Sequence, residues 1–329
     1  MVKRFPGVAV LCTLAMAGLA AGQAAAQSDP AQSFPTKPIR LVIPFAPGGG
    51  NDILARVLAP KMSSALGQPV VVENKPGAQG IIGVELVMKS PPDGYTVLVG
   101  PSGPMTGNPA IYAKLPYDPI RDFVPVTMIG SIPLILVVNS SLPVKSVQEL
   151  VAYAKAHPKS VNYSSVAALF QLTSELFNQK TGTHFQQIPY KSSGDAVNAV
   201  ISGEVTIMFS DPPPAAGQIK TGRLRGLAIT TPTRHPSWPN IPTLAETGIS
   251  DMAFVTWFGL FLPANTPGSI ARKLRDQVAR AITLPDVRER FAALGVDPSG
   301  MPGDQFGKVL AADIARWTAV AKAANIKAD

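Results

Sequence analysis

Cysteine is all but missing: the 329 residues hold one, Cys12, inside an apolar stretch at the start. Beyond it, neither disulfides nor thiolate metal sites are open to the chain. Histidine is nearly as scarce. His157, His184 and His235 stand far apart, and none belongs to a metal-ligand spacing. No metal and no other cofactor is expected. A nucleophile elbow, Gly-x-Ser-x-Gly, does not occur. Gly48-Gly49-Gly50 does not complete a dinucleotide fingerprint, because Ile53 stands where the third glycine would fall. It does not make a phosphate loop either, which ends in Gly-Lys-Ser/Thr. No catalytic constellation shows, and no enzyme is expected. Long basic runs are absent too. The formal charge is +8, but the basic residues are dispersed without interleaved aromatics, which argues against nucleic acid as a partner. No stretch reaches the roughly 20 apolar residues of a membrane span.

What is present begins with an export signal. Lys3 and Arg4 precede an apolar stretch from Val8 to Ala21, and Ala24-Ala25-Ala26 offers small residues for cleavage before Gln27. This three-part layout predicts a signal peptide over residues 1–26 and a soluble periplasmic protein. Cys12 sits in mid-stretch, which does not suit lipid attachment. Losing Lys3 and Arg4 takes two charges from +8 and leaves +6, a mild field that helps draw in anions. An exported chain without disulfides relies on its core. About 300 residues can bury a large one and favour two domains.

The rest alternates strand and helix. Ile39 to Ile43 reads as a strand, Asn51 to Leu66 as a helix closed by Gly67 and kinked at Pro60, and Val70-Val71-Val72 as a strand. A glycine-rich loop, Pro76 to Gly80, opens a helix to Lys89, and Thr96 to Val99 is a third strand. This is the grammar of a parallel sheet with helices on its faces, an α/β fold. It repeats through Leu134–Val138, a helix from Val147 to His157, Val161-Asn162-Tyr163, a helix from about Leu169, Gln187–Tyr190, a helix from Ala196 to Ser202, Val205–Phe209 and Arg225–Ile229. Helices close the chain. The expected division is a first lobe over residues 27–130, a second over 131–228, and a return to the first over 229–329, with the return point between Ile229 and Trp257.

The loop Phe45-Ala46-Pro47-Gly48-Gly49-Gly50-Asn51-Asp52 joins a strand's carboxyl end to a helix, where open α/β sheets bind ligands. Free N–H groups and the helix dipole favour an anion there, and glycines let it come close. Asn51 or Asp52 as the helix cap accounts for part of this, but three glycines exceed what a cap requires.

Several stretches resemble the tripartite tricarboxylate transporter receptor family, also called the Bordetella uptake gene family. They are Pro38 to Gly50, Val71-Val72-Glu73-Asn74-Lys75-Pro76-Gly77-Ala78, Pro92-Asp93-Gly94-Tyr95, Leu115 to Pro119, Val137-Val138-Asn139, Ile188-Pro189-Tyr190-Lys191 and Trp257 to Phe261, in the family's order. The resemblance implies a two-lobed periplasmic binding protein of type II, the Venus flytrap, with its ligand cleft between lobes. It implies a small carboxylate as ligand, a membrane permease of one large and one small subunit as partner, and a monomer. On the first lobe it points to the loop Phe45 to Asp52 and to Ser102. On the second it points to the loop after Tyr163, namely Ser164, Ser165, Val166, Ala167, Ala168 and Phe170, and to the loop of Ser210 and Asp211; Tyr190 and Lys191 can also reach the cleft.

This chain departs from the family's polar run after Tyr163, and it carries Asp211-Pro212-Pro213-Pro214 where a looser polar turn is usual. An apolar, proline-stiffened wall suits an aromatic or partly apolar carboxylate, of the phthalate or benzoate kind. Trp257, Phe258 and Phe261 can stack on a ligand, but core or hinge packing is the favoured reading. Two other functions fit the same cleft: a sensing subunit that reports to a membrane kinase, and an exported enzyme.

Overall fold

Ile39-Arg40-Leu41-Val42-Ile43 is β1 (Ile39–Ile43) in the computed structural model, buried except at Arg40. The structure describes Met1, Asp29, residues 31–323 and residues 325–328, so the expected signal peptide lies, Met1 apart, outside the described residues. After β1 come α1 (Gly50–Leu66), β2 (Val70–Asn74), α2 (Ile81–Met88), β3 (Thr96–Pro101), α3 (Asn108–Ile111) and the ten-residue β4 (Phe123–Ile132). Helix α1 runs through Pro60 and stops at Gly67, whose φ of 67° only glycine takes at little cost and whose N–H donates to the Ser63 carbonyl.

The second lobe starts two residues on. It holds β5 (Ile135–Asn139), α4 (Val147–Ala156), β6 (Asn162–Ser165), α5 (Ala168–Thr181), β7 (Gln186–Pro189), α6 (Ser193–Ser202), β8 (Ile207–Ser210), α7 (Pro212–Lys220) and β9 (Leu224–Ile229). Ser146 and Ser192 cap α4 and α6, accepting the N–H groups of Glu149 and Asp195. The sequence pattern does not separate α7 from a turn, although prolines suit a helix's first turn, where N–H groups lack partners anyway.

The chain returns through β10 (Thr256–Pro263), α8 (Gly268–Ala281), α9 (Pro285–Ala293), β11 (Asp297–Pro302) and α10 (Gly303–Ala323). Two sheets result, ordered β11-β4-β10-β3-β1-β2 and β7-β6-β8-β5-β9. Strand β10 lies antiparallel between β3 and β4, with Gly259 opposite Gly100 and Met128. The return strand is therefore central to the first sheet.

Each sheet is covered on both faces, which accounts for its near-continuous apolar strands. Leu54, Leu58, Ile270, Leu274 and Val278 pack one face of the first sheet, and Trp257, Phe261, Phe306 and Leu310 the other. The second sheet buries Leu136, Leu172 and Phe177 on one face and Val137, Val197 and Met208 on the other. Helix α10 joins the two lobes. Its Phe306 and Leu310 belong to the first lobe's core, and Trp317 and Ala321 to the second's.

Candidate functional site

Between the lobes lies a cavity of about 30 Å3, room for one or two water molecules. Its walls are the start of α1, the residues after β3, the ends of β4 and β10, and the heads of α5, α6 and α7. The lobes are closed down on it. Ala46 N–H donates across the cleft to the Lys191 carbonyl at 3.3 Å, and Gly50 N–H to Asp211 Oδ2 at 2.9 Å. Gly103 and Gly107 let the turn after β3 press on α5, since a Cβ there would meet Ala167 at 2.9 Å and Ala168 at 3.0 Å.

The glycine loop is organised by Asp52 rather than capped by it. Gly49 is the N-cap and has no side chain to close the helix. Asp52, in the first turn, reaches back to accept the Gly48 N–H at 3.0 Å and takes further bonds from Arg56 and Asn74. Burial pushes its carboxyl upward, but these bonds outweigh it and hold Asp52 below the usual carboxylate range. Asp52 is thus an internal support, with its charge already matched by Arg56. Asn51 is buried, 3% exposed, and its Nδ2 has no partner among the described residues.

Three helix heads converge here. Gly49 and Asn51 at α1, Leu169 at α5 and Ser193 at α6 all line the cavity, and among the described residues their backbone N–H groups have no acceptor. Helix heads carry partial positive charge and favour anions. No lysine or arginine lines the cavity, and Asp211 is its one charged side chain among the described residues. Asp211 is fully buried. Desolvation pushes its carboxyl above the usual range, against the neighbouring Ser193 side chain and the bond it accepts from Gly50.

Of the residues expected from sequence, Phe45, Gly49, Gly50, Asn51, Ser102, Val166, Ala167, Phe170 and Asp211 line the cavity. Others do not. Ala46 and Gly48 meet the other lobe beside the cavity, at Lys191 and Gly194, Asp52 braces the loop, and Pro47 is not in the lining. Strand β6 runs on through Ser164 and Ser165, farther than the pattern suggests, and so carries both away; Ser165 Oγ instead accepts a bond from Gln187 at 2.7 Å. Ala168 packs against Gly107, Tyr190 donates its hydroxyl to Glu204 at 3.0 Å, and Ser210 donates to its neighbour's carbonyl.

Leu169, Ser193, Ile132 and Thr256 join the wall without having been expected there, and of the three aromatics of β10 only Phe258 reaches it. The period of two along β10 holds the signal: Trp257 and Phe261 pack on Phe306, while Phe258 between them faces the other way, into the cleft. The wall is chiefly apolar, with Phe45, Ile132, Leu169, Phe170 and Phe258 around the few polar groups. Among the described residues no group of three His, Cys, Asp or Glu could hold a metal. No described helix is long and apolar enough to cross a membrane.

Comparison with known proteins places this architecture. The sequence profile of the Tripartite tricarboxylate transporter family receptor matches residues 54–326. The chain is 37% identical to Protein BugT of Bordetella pertussis over 95% of each chain. Among solved structures, an R. palustris protein with adipate is similar at 35% identity and a TM-score of 0.86, over 89% of this chain and 99% of that one. MatC from Rhodopseudomonas palustris with bound malate is similar at 30% identity and a TM-score of 0.84, over 87% of this chain and 99% of that one. The chain belongs to the tripartite tricarboxylate transporter receptor family and is a two-lobed periplasmic solute-binding protein.

Proposed function

We propose that this protein captures a small carboxylate with an apolar, preferably aromatic, body between its lobes and delivers it to a membrane permease without transforming it. The observation that carries this reading is the convergence of three helix heads on an apolar cavity where, among the described residues, their N–H groups are unpaired and no basic side chain lines the wall. Such donors hold an anion through oriented dipoles and hydrogen bonds, and low polarity around them strengthens both. The similar structures hold adipate and malate, both carboxylates. Adipate has a four-carbon apolar middle, and the wall of Phe45, Phe170 and Phe258 extends that preference to a ring.

Capture is a closure without covalent chemistry. About 30 Å3 is too little for an organic acid, so the lobes part to admit it. The chain crosses between the sheets at residues 133–134 and again over residues 230–255, and these crossings take up the motion. The ligand favours the closed form by the contacts it makes only there. The permease and the cleaved signal over residues 1–26 belong to this same reading.

The test is titration calorimetry with benzoate, terephthalate, adipate, malate and citrate, followed by recovery of the ligand. Binding of benzoate, terephthalate or adipate at least tenfold tighter than malate and citrate, with the ligand recovered unchanged, supports capture of a partly apolar acid. A preference for citrate or malate removes the apolar body from the proposal. Conversion of the ligand removes the transport role.

A further inference from the structure

Asp211 is the N-cap of α7. A capping aspartate ordinarily accepts the N–H groups two and three positions on. Here those positions are Pro213 and Pro214, which have no N–H to give. Its carboxylate makes no cap bond to its own helix and turns across the cleft, where Oδ2 accepts the Gly50 N–H. Oδ1 is left without a partner among the described residues, and so is Nδ2 of Asn51. Both residues are 3% exposed and both line the cavity. One unpaired acceptor and one unpaired donor thus belong to residues that line the same small cavity, and buried polar groups in native proteins are rarely left so.

Resting on the carboxylate reading above, we propose that Asp211 makes the cleft selective for a monocarboxylate whose other end is a hydrogen-bond donor, in its simplest form a primary carboxamide, and selective against an acid ionised at both ends. A carboxamide satisfies both orphaned groups at once: its carbonyl accepts from Asn51 Nδ2, and its N–H donates to Asp211 Oδ1. The ligand's carboxylate then takes the N–H groups at the heads of α5 and α6. A second carboxylate in the carboxamide's place has no proton for Oδ1 and sets two like charges together in a dry cavity. Such a pair holds one proton between them.

The surrounding charges do not relieve this. On α1, Asp52 and Arg56 are paired to each other. Lys191 and Asp195 flank the head of α6 outside the cavity, α7 bears only Lys220 at its far end, and Glu175 of α5 is bonded to Tyr163. Strands β3 and β10 bring no charge. Desolvation of Asp211 acts in the same direction, toward the protonated form. In the parted cleft Asp211 is solvated and ionised; closure on a diacid takes up a proton, whereas an amide N–H on Oδ1 keeps Asp211 ionised against its desolvation, so closure on a monoamide takes up none.

The experiment is calorimetry on the whole protein with two matched pairs, terephthalate with 4-carbamoylbenzoate and adipate with its monoamide, from pH 6 to pH 8 and in two buffers of different ionisation enthalpy. At pH 8 the expected result is a monoamide bound at least tenfold tighter than its diacid. Diacid binding should strengthen nearly tenfold per pH unit lowered, with about one proton taken up, while monoamide binding stays flat. Asp211→Asn should abolish the slope and tighten diacid binding at pH 8 by tenfold or more. Diacids bound as tightly as monoamides at pH 8, without proton uptake, would overturn the proposal and leave carboxylate capture standing. If no acid or monoamide binds at all, carboxylate capture falls and the proposal falls with it. The proton count on the unaltered protein decides the matter even if the variant does not fold.

Discussion

Gly50→Ala separates closure from folding. Gly50 is the first residue of α1, buried, and a Cβ there would run into Asp211 Oδ2 and lie 3.1 Å from the Phe258 ring. In the parted form Asp211 is away, while Phe258, on β10 of the same lobe, stays beside Gly50. There the Phe258 ring must shift by a few tenths of an ångström, which offsets the roughly 0.5–1 kcal/mol that alanine gains over glycine in backbone freedom. In the closed form the Gly50 to Asp211 bond, 2.9 Å long, must give way. A hydrogen bond to a charged group contributes about 1.5–3 kcal/mol. At 1.4 kcal/mol per factor of ten, the variant's affinity for a carboxylate should fall roughly 10- to 150-fold. Its melting point without ligand should hold. Calorimetry gives the affinity, and small-angle scattering with ligand shows whether the lobes still close. By contrast, a Cβ on Gly49 meets Asn51 Oδ1 at an ordinary 3.4 Å, so Gly49→Ala should bind within a few-fold of the unaltered protein. Unchanged affinity and compactness in Gly50→Ala, or a greater loss in Gly49→Ala, would refute this account of closure.

Three further outcomes are expected. Phe170→Ala removes a half-buried ring from the wall, so it should weaken binding of an aromatic acid about 5- to 30-fold, and it should lower the melting point because the ring also packs against the second lobe's core. Asp52→Asn should destabilise the protein by about 1.5–3 kcal/mol near pH 7 in urea unfolding. Because Asp52 is held below the usual range, its contribution is present above that range and is lost as pH falls through it; the variant should converge on the unaltered protein in acid. Trp257→Phe removes the indole N–H that donates to Asp313 at 2.7 Å. Asp313 is already pushed upward by burial, so its charged form is disfavoured in the fold. The loss, about 1–3 kcal/mol, should be larger at pH 8 than at pH 5.

The sequence by itself determined the α/β class, the glycine loop and the family, because these rest on local pattern: apolar periodicity, helix stops such as Gly67, and short motifs in a fixed order. It also held Asp211-Pro212-Pro213-Pro214, legible as a wall though not as the head of α7. The tertiary structure decided which residues meet. Gly50 and Asp211 are joined only when one lobe closes on the other, and no local signal spans that separation. The extension of β6 through Ser164 and Ser165, and the direction in which Phe258 points, depend on strand neighbours supplied by distant parts of the chain. Local pattern sets what each segment becomes; long-range pairing sets which face it turns to the cleft, and the chemistry of the cleft is made of those faces.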